Sequence, residues 1–324
     1  MGLILALDQG GTKTAALVAN ASGEILGAGY GRGACHAESG MEVAMGAVME
    51  AAGAALSAAG ATLAQVETVC GGMAGADWPD EYPLLENALR ETTGVRNVQV
   101  VNDCIIAWRA GTDCPVGAVL CAGTALNAAV IGPHGQSYIF GYYISGDDLG
   151  GTALGRLSLR AVFAAESGIG PGTRLTDLLL SHFGLASVDD LMRAYVSGKL
   201  GRTSTLVPVL EQAVTLGDDV AVRLVADFGE RLARYVTAGQ KRFGMLQCEQ
   251  DVVLSGGVFK AHLPGLRESV TRAVLREAPR ARLVDARYEP VVGALLLALP
   301  ALTLPALAES AARHQLLRQG GIQK

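Results

Sequence analysis

The chain has 324 residues, of which 50% are hydrophobic and 18% are charged. These proportions are typical of a well-packed globular protein long enough for two domains, and they exclude a largely disordered chain. The formal net charge is -5 and no run of lysines and arginines occurs, so we expect no nucleic-acid partner.

The N-terminal segment and the cysteines indicate the compartment. The first apolar run is only a few residues long before Asp8, and no charged segment precedes it, so it resembles neither a secretion signal nor a membrane span. We therefore expect a cytoplasmic protein with no membrane partner. The six cysteines include no C-x-x-C pair and fit no short secreted framework, so we expect free thiols.

The first third of the chain alternates strands with helices. The predicted strands cover residues 3–7, 15–19, 25–28, 66–75 and 98–103, and the predicted helices cover residues 40–59 and 82–93. This alternation predicts an α/β fold with a partly parallel sheet.

A second strand meander begins near Val116. The segment 116–141 runs strand, glycine turn, strand, Pro-His-Gly turn, strand, which is the order at the N-terminus. A shift of 112 residues, without a gap, places Gly11 on Gly123 and Thr12 on Thr124. The match predicts an internal duplication, and coincidence between two hairpins in a glycine-rich chain is the alternative.

The remainder of the chain is mainly helical. The predicted helices cover residues 152–167, 173–182, 187–198, 218–243 and 291–299, and a further strand with paired glycines covers residues 251–259. We expect one domain over 1–113 and a second over 114–324, with the helix at about 290–300 packing back on the first.

The opening turn, in the sequence LALDQGGTKTAALV, has the composition of a phosphate-binding loop. It matches neither the P-loop nor the dinucleotide fingerprint. Gly10 and Gly11 leave backbone N–H groups open to phosphate oxygens, and Thr12 and Lys13 add donors. Asp8 would repel phosphate unless a divalent cation such as Mg²⁺ lies between them. The turn predicts a Mg-phosphate cradle, and a tight hairpin with Lys13 in solvent is the alternative.

Six segments, in order, resemble the N-acetylglucosamine kinase-like family. They are LALDQGGTKTAALV, VVNDC, VLCAGTALNAAV, SGDDLGGTALG, VVLSGGVF and EPVVGALLLAL, and they span residues 5 to about 299. That group also contains ATPase activators of 2-hydroxyacyl-CoA dehydratases and belongs to the actin-like sugar kinase and chaperone ATPase superfamily. The resemblance implies two RNase H-like domains with ATP in the cleft between them. It also implies these contacts: Asp8 with Mg²⁺ through water; Gly10, Gly11, Thr12, Lys13, Gly123 and Thr124 with phosphate; and Gly256 and Gly257 with the adenosine.

The same resemblance implies an acceptor site. Asp103 occupies the position of the carboxylate that acts as general base on the attacking hydroxyl. From the residues alone, Asp103 also fits a cap for a helix over 104–109. Asp147 and Asp148 resemble a loop whose aspartate contacts sugar hydroxyls, although Leu149 stands where the family has glycine.

Further candidate acceptor contacts are His36, Gly75, Asp77 and Asn102. His36 is either a sugar contact or an exposed loop histidine. Trp78, beside Asp77, either stacks on a sugar ring or fills the core. The loops that hold these residues depart from the pattern of N-acetylglucosamine kinases, so the identity of the acceptor stays open.

The sequence therefore predicts an ATP- and Mg²⁺-dependent kinase for a sugar or amino sugar, and by resemblance a homodimer. One alternative is an ATPase activator of a partner enzyme, but the second cysteine of its iron–sulfur site is missing, since none occurs between Cys121 and Cys248. The other is a non-catalytic sugar- and ATP-binding regulator, against which the presence of Asp8, Lys13 and Asp103 argues.

Overall fold

The computed structural model describes residues 2–261 and 263–317, and these form two five-stranded mixed sheets. The first sheet contains β1 (Leu3–Gln9), β2 (Lys13–Ala19), β3 (Ile25–Arg32), β4 (Val66–Met73) and β5 (Asn97–Asn102). The second contains β6 (Gly117–Ala122), β7 (Leu126–Ile131), β8 (Ser137–Ile139), β9 (Gln250–Ser255) and β10 (Ala281–Asp285).

The two sheets have the same topology. The first has the order β3-β2-β1-β4-β5, and the second has the equivalent order β8-β7-β6-β9-β10. In each sheet the first three strands form an antiparallel meander and the last two join it in parallel. The structure therefore confirms the predicted α/β class and the common plan of the two halves.

Thirteen helices surround the sheets in the described part of the chain. They are α1 (His36–Ser39), α2 (Met41–Ala58), α3 (Glu81–Thr93), α4 (Asp103–Arg109), α5 (Gly150–Glu166), α6 (Leu175–Phe183), α7 (Val188–Val196), α8 (Val207–Thr215), α9 (Asp219–Arg242), α10 (Gly257–Lys260), α11 (Leu266–Glu277), α12 (Pro290–Ala298) and α13 (Leu304–Arg313). We call the first sheet with α2, α3 and α12 lobe 1, and the second sheet with α5 to α11 lobe 2.

Helix α2 packs on lobe 1 through a close contact with β3. A Cβ atom on Gly27 would lie 2.3 Å from the backbone O of Ala55, and one on Gly29 would lie 2.3 Å from its backbone N. The glycines therefore let an alanine-rich helix approach the strand closely. By length and composition α2 could cross a membrane, but one apolar face of the helix is buried in the core of lobe 1, as in a core helix of a folded domain.

Helix α4 connects the lobes, and α12 packs against it. Helix α4 contacts strands of both sheets, and α12 packs on α4 and on β1, β2 and β4. A Cβ atom on Gly293 would lie 1.9 Å from the backbone O of Ile106, so only glycine allows the two helices to approach this closely. Helix α12 thus packs on the first sheet. The domain division between residues 113 and 114 stays a prediction.

The structure differs from the predicted elements in two ways. The strand predicted over 251–259 ends at Ser255, because Gly256 has a φ of +99° and turns the chain into α10. Elements α8, α11, α13 and β10 were not predicted. Strand β10 is an edge strand with a partly exposed sequence, ARLVD, so its hydrophobic pattern is weak.

Candidate active site

A cavity of about 810 Å³ lies between the two lobes at the ends of β1, β6 and β9. Its volume is in the range of small-molecule sites. The structure brings these predicted site residues together in its lining: Asp8, Gly10, Gly11, Thr12, Lys13, Asp103, Gly123, Thr124 and Gly256. Gly257 does not line the cavity and instead begins α10.

Residues 10–13, which we call loop 1, form the turn between β1 and β2. The backbone N–H of Gly10 donates to the carbonyl of Lys13 at 3.0 Å, which closes the turn. A Cβ atom on Gly11 would meet no protein atom within 4 Å, and the φ of Gly11 lies outside the left-handed region. Neither packing nor backbone conformation requires glycine here. Its lack of a side chain leaves room for a ligand in the cleft.

Residues 123–126, which we call loop 2, form the equivalent turn between β6 and β7. The N–H of Gly123 donates to the carbonyl of Ala125 at 2.9 Å. A Cβ atom on Gly123 would also meet nothing within 4 Å. The carbonyl of Gly123 accepts from the N–H of Gly151 at 2.8 Å, and that of Thr124 accepts from Thr152 at 3.0 Å. Loop 2 is therefore fixed to the first turn of α5.

Gly256 brings a third backbone segment to the cleft, directly after β9. A Cβ atom on Gly256 would lie 2.2 Å from the backbone O of Ala122, and its φ of +99° favours glycine. Here the absence of a side chain is explained by packing and conformation. The turn after β9 is held against the end of β6, close to loop 2.

Asp8 and Lys13 bring opposite charges to the loop 1 side of the cavity. The ammonium of Lys13 lies 3.0 Å from a carboxylate oxygen of Glu289. Within residues 2–261 and 263–317 no group of three or more His, Cys, Asp or Glu side chains could hold a metal ion by itself. One carboxylate beside a phosphate site fits Mg²⁺, which proteins bind through one or two carboxylates together with substrate phosphates and water.

Asp103 lies at the first position of α4, in the cavity lining. The side chain of Asn102, the N-cap residue, accepts from the N–H of Cys104 at 2.9 Å, so Asn102 rather than Asp103 caps the helix. The Oδ1 atom of Asp103 is buried and has no hydrogen-bond partner among the described residues. A buried oxygen without a donor is costly and indicates a donor that a ligand would bring.

Burial is the largest factor that raises the pKa of the Asp103 carboxyl, and the charge of Asp77 adds to it. The nearby polar groups of the Cys104 backbone and of Asn127 oppose the shift in the pKa. The resulting pKa is about 6, against 3.8 for an ordinary aspartate. The carboxylate is thus more basic than usual and still largely unprotonated at neutral pH.

Asp77 and Asn102 support the Asp103 region and do not line the cavity. The Nδ2 of Asn102 donates to Oδ1 of Asp77 at 2.8 Å, and the Nδ2 of Asn127 donates to the same oxygen at 3.3 Å. Since Asn127 lies on β7, this network joins the two lobes. Burial raises the pKa of Asp77, and the two hydrogen bonds oppose that shift.

His36 and Gly75 lie on the same side of lobe 1, also outside the cavity lining. The His36 side chain is only 9% exposed and its Nε2 lies 3.8 Å from Oε1 of Glu81, so it is not an exposed loop histidine. A Cβ atom on Gly75 would lie 2.7 Å from Sγ of Cys35 and 3.0 Å from Cε1 of His36. Gly75 therefore makes room for the 35–36 segment.

An aromatic cluster, which we define as Trp78, Tyr142 and Tyr143, joins the lobes beside Asp77. The Trp78 ring stacks on Tyr142 with centroids 6.0 Å apart, and Tyr143 meets Trp78 edge-on at 5.9 Å. Trp78 is 41% exposed, so it does not fill a core. The cluster has exposed ring faces next to the polar network of Asp77.

Asp147 and Asp148 do not lie in the cleft lining, contrary to expectation. Asp148 is buried and accepts from Nε of Arg231 at 2.7 Å and from the hydroxyl of Tyr235 at 2.8 Å. Asp147 is exposed and forms an ion pair with Arg160. Both carboxylates contact residues of neighbouring helices, and their role as sugar contacts stays a prediction.

The sequence analysis missed several residues of the cleft, namely Glu38, Asn127, Thr152, Arg202 and Thr203. For Asn127 a signal exists, because an amide stands in the otherwise apolar strand LNAAVI. Thr152, Arg202 and Thr203 lie on helical segments of lobe 2 or next to them, where no motif marks them.

Two lobes of equal topology, with paired glycine loops facing one cleft, define an actin-like ATPase fold. Residues 5–298 match the model of the BadF/BadG/BcrA/BcrD ATPase family, and the chain belongs to that family.

Individual proteins agree with this assignment. The chain is 25% identical over 312 residues to an N-acetyl-D-glucosamine kinase of Dictyostelium discoideum, with 92% of this chain and 98% of the relative covered. It is 24% identical over 240 residues to an N-acetylmuramic acid/N-acetylglucosamine kinase of Clostridium acetobutylicum, covering 73% and 78%. A solved Chromobacterium violaceum protein, provisionally assigned as an N-acetylglucosamine kinase, has a TM-score of 0.70 at 20% identity, covering 92% and 99%. The predicted two-domain fold is confirmed.

Proposed function

We propose that this protein is an ATP-dependent kinase that transfers the γ-phosphate of ATP to a hydroxyl of a sugar or amino sugar. One observation carries the proposal: loop 1 and loop 2 leave open, side-chain-free space on a cleft that Asp103 also lines. Phosphoryl transfer needs these parts, because the protein mainly positions the reactants and stabilises charge.

ATP binds with its phosphates between the loops in this proposal. Gly11 and Thr12 of loop 1 and Thr124 of loop 2 donate backbone and hydroxyl hydrogen bonds to phosphate oxygens. Gly10 and Gly123, whose own N–H groups close the two turns, give the loops the shape that admits the phosphates. Gly256 and Gly257 lie on the adenosine side. Gly257 is the first residue of α10 and contacts the adenosine from there.

Lys13 adds a positive charge on the loop 1 side, and Asp8 is the residue that would hold Mg²⁺ through water. When bound, Mg²⁺ neutralises charge on the transferred phosphate.

Asp103 acts as the general base. Its carboxylate accepts the hydrogen bond of the acceptor hydroxyl and takes the proton as the oxygen attacks phosphorus. The raised pKa of about 6 favours this role, since a base works best with a pKa near the working pH. The hydrogen-bond network that joins the lobes positions the segment that carries this carboxylate. It consists of Asp77, Asn102 and Asn127.

The acceptor class rests on the relatives, whose names include N-acetylglucosamine and N-acetylmuramic acid. We propose N-acetylglucosamine, glucosamine or a closely related sugar as acceptor. His36 and Gly75 shape the acceptor side of lobe 1, and the aromatic cluster gives ring faces on which a pyranose can stack. We further propose that the protein is a cytoplasmic homodimer.

The test is a coupled assay of ADP formation with Mg-ATP and a panel of sugars. The panel contains glucose, glucosamine, N-acetylglucosamine, N-acetylmannosamine and N-acetylmuramic acid, with mass spectrometry of the product. We expect ADP and sugar phosphate in equal amounts with at least one amino sugar. ADP release that is independent of every sugar would contradict the proposal and favour an ATPase that acts on a partner.

A further inference from the structure

Glu289 lies between two lysines that come from different lobes. One of its carboxylate oxygens is 3.0 Å from Nζ of Lys13, and the other is 3.2 Å from Nζ of Lys260. The Glu289 side chain is only 15% exposed, while those of Lys13 and Lys260 are 52% and 40% exposed. A mostly buried carboxylate thus joins two partly solvated ammonium groups.

The three residues belong to the segments that surround the proposed nucleotide site. Lys13 is in loop 1 of lobe 1, and Lys260 is the last residue of α10 in lobe 2, four positions after Gly256. Glu289 is the N-cap residue of α12, directly before Pro290, which lines the cleft. The backbone N–H of Glu289 donates to the carbonyl of Leu316 at 2.9 Å, which fixes its main chain.

We propose that Glu289 is a positioning residue for the nucleotide: it holds Lys13 toward the phosphates and ties loop 1 to α10. This inference rests on the proposed function, because it needs ATP in the cleft. Glu289 acts through Lys13 and does not itself contact the phosphates.

The chemistry of lysine makes this arrangement effective. An ammonium has three donors, so Lys13 can keep its hydrogen bond to Glu289 and still donate to phosphate oxygens. A long lysine side chain loses much rotamer freedom when a ligand fixes it, and a carboxylate that orders it beforehand reduces that loss. The ring of Tyr30, with its centroid 5.4 Å from Nζ of Lys13, limits the side chain further.

The Lys13–Glu289–Lys260 network also differs from an isolated surface ion pair, which contributes little to stability. Glu289 receives two charge-assisted hydrogen bonds, one from each lobe, and it is mostly withdrawn from solvent. Loss of its charge therefore changes both loop 1 and the link to α10, whereas loss of Lys260 changes only the link.

The experiment compares ATP kinetics of five variants with the wild type: E289Q, K260M, K13M, the double variant K13M/E289Q and a control. In E289Q we expect the KM for ATP to rise about tenfold, the effect of one charge-assisted hydrogen bond, while the KM for the sugar is unchanged. In K260M we expect a rise of about twofold to threefold. When E289Q is added to K13M, it should raise the KM for ATP by less than about twofold more, because the residue it positions is gone. The matched control is E268Q, an exposed glutamate of α11 outside the cleft lining, which should equal the wild type.

The affinity for a non-hydrolysable ATP analogue, measured by calorimetry without any sugar, gives the same comparison independently of catalysis. If no sugar is phosphorylated, the proposed function fails, and the analogue affinities still decide on Glu289. An E289Q protein that unfolds at the wild-type temperature and binds ATP like the wild type would overturn the inference. An equal loss in the K13M background would overturn it as well.

Discussion

Loop 1 and loop 2 occupy equivalent places in two sheets of identical order, but they differ in charge and in what holds them. Loop 1 contains Lys13, follows Asp8, and its lysine is held by Glu289. Loop 2 contains no charged residue, and its carbonyls accept from the first turn of α5. Both loops keep a glycine that opens into the cavity.

If the loops bind phosphate as proposed, the common fold provides the backbone part of the site twice, while the charged part occurs once. Backbone N–H groups depend only on the turn, which the duplicated topology provides in each lobe. The ammonium and the carboxylate depend on individual side chains, and these differ between the lobes. Neither loop carries the group that would move a proton, which lies instead on α4.

The largest effect should therefore come from Asp103, outside both loops. In Asp103→Asn we expect kcat to fall about 10²-fold to 10⁴-fold, because the amide cannot take the proton of the acceptor hydroxyl. The binding of an ATP analogue should change little. The measurement is steady-state kinetics with calorimetry, and Asp189→Asn, an exposed carboxylate of α7 outside the cavity lining, serves as control. Retained turnover in Asp103→Asn would remove Asp103 from the mechanism.

Lys13 is the clearest difference between loop 1 and loop 2. Lys13→Met should lower kcat/KM for ATP about tenfold to a hundredfold, since a charge-assisted hydrogen bond to phosphate is lost. The equivalent position of loop 2 is Ala125, an exposed residue, and Ala125→Ser should have nearly no effect. The same assay applied to both variants tests the comparison. If the two variants changed kcat/KM for ATP equally, the charge of Lys13 would not distinguish loop 1 from loop 2 in ATP binding.

The glycines of the two loops should contribute equally to ATP binding. Gly11→Ala and Gly123→Ala should each raise the KM for ATP roughly threefold to tenfold, because a methyl group enters space that the phosphates would occupy. The unfolding temperature should not fall in either variant, since the new Cβ meets no protein atom. Gly256→Ala is the contrast, because its Cβ would lie 2.2 Å from a backbone oxygen and should destabilise the fold. Thermal unfolding and ATP kinetics on the three variants distinguish packing from binding.

A smaller effect concerns pH. The unprotonated Asp103 is the active form and its pKa in the ligand-free protein is about 6, so kcat/KM for the sugar should fall as the pH is lowered through about 6. The charge of Asp77 raises the pKa of Asp103. Asp77→Asn removes that charge and keeps an oxygen to accept from Asn102, so the acid limb should move to lower pH. A pH–rate profile of the wild type and the variant measures the shift. An unmoved or higher limb would show that Asp77 does not tune the base.

Much of the fold follows from the sequence. The two meanders, the parallel strands and helices α2, α3, α5 and α9 have clear hydrophobic periods, and the 112-residue repeat predicts the equal topology of the sheets. Helices α8, α11 and α13 and the edge strand β10 were missed.

The site is predictable where glycines and charges stand at strand ends, as in both loops and Asp103. It is not predictable where long-range partners decide the role of a side chain. Asp148 matches a sugar-binding motif, yet Arg231 and Tyr235, more than 80 positions away, engage it. Lys13 and Glu289 are 276 positions apart, so their contact cannot be inferred from either motif.

The proposed arrangement of ATP and sugar in the cleft is tested most directly by a crystal structure with Mg²⁺, a non-hydrolysable ATP analogue and the best acceptor from the sugar panel. We expect the phosphates between loop 1 and loop 2, with one sugar hydroxyl within hydrogen-bond distance of the Asp103 carboxylate and in line with the γ-phosphate. A sugar hydroxyl bound away from Asp103, or a triphosphate that contacts only one of the loops, would contradict it.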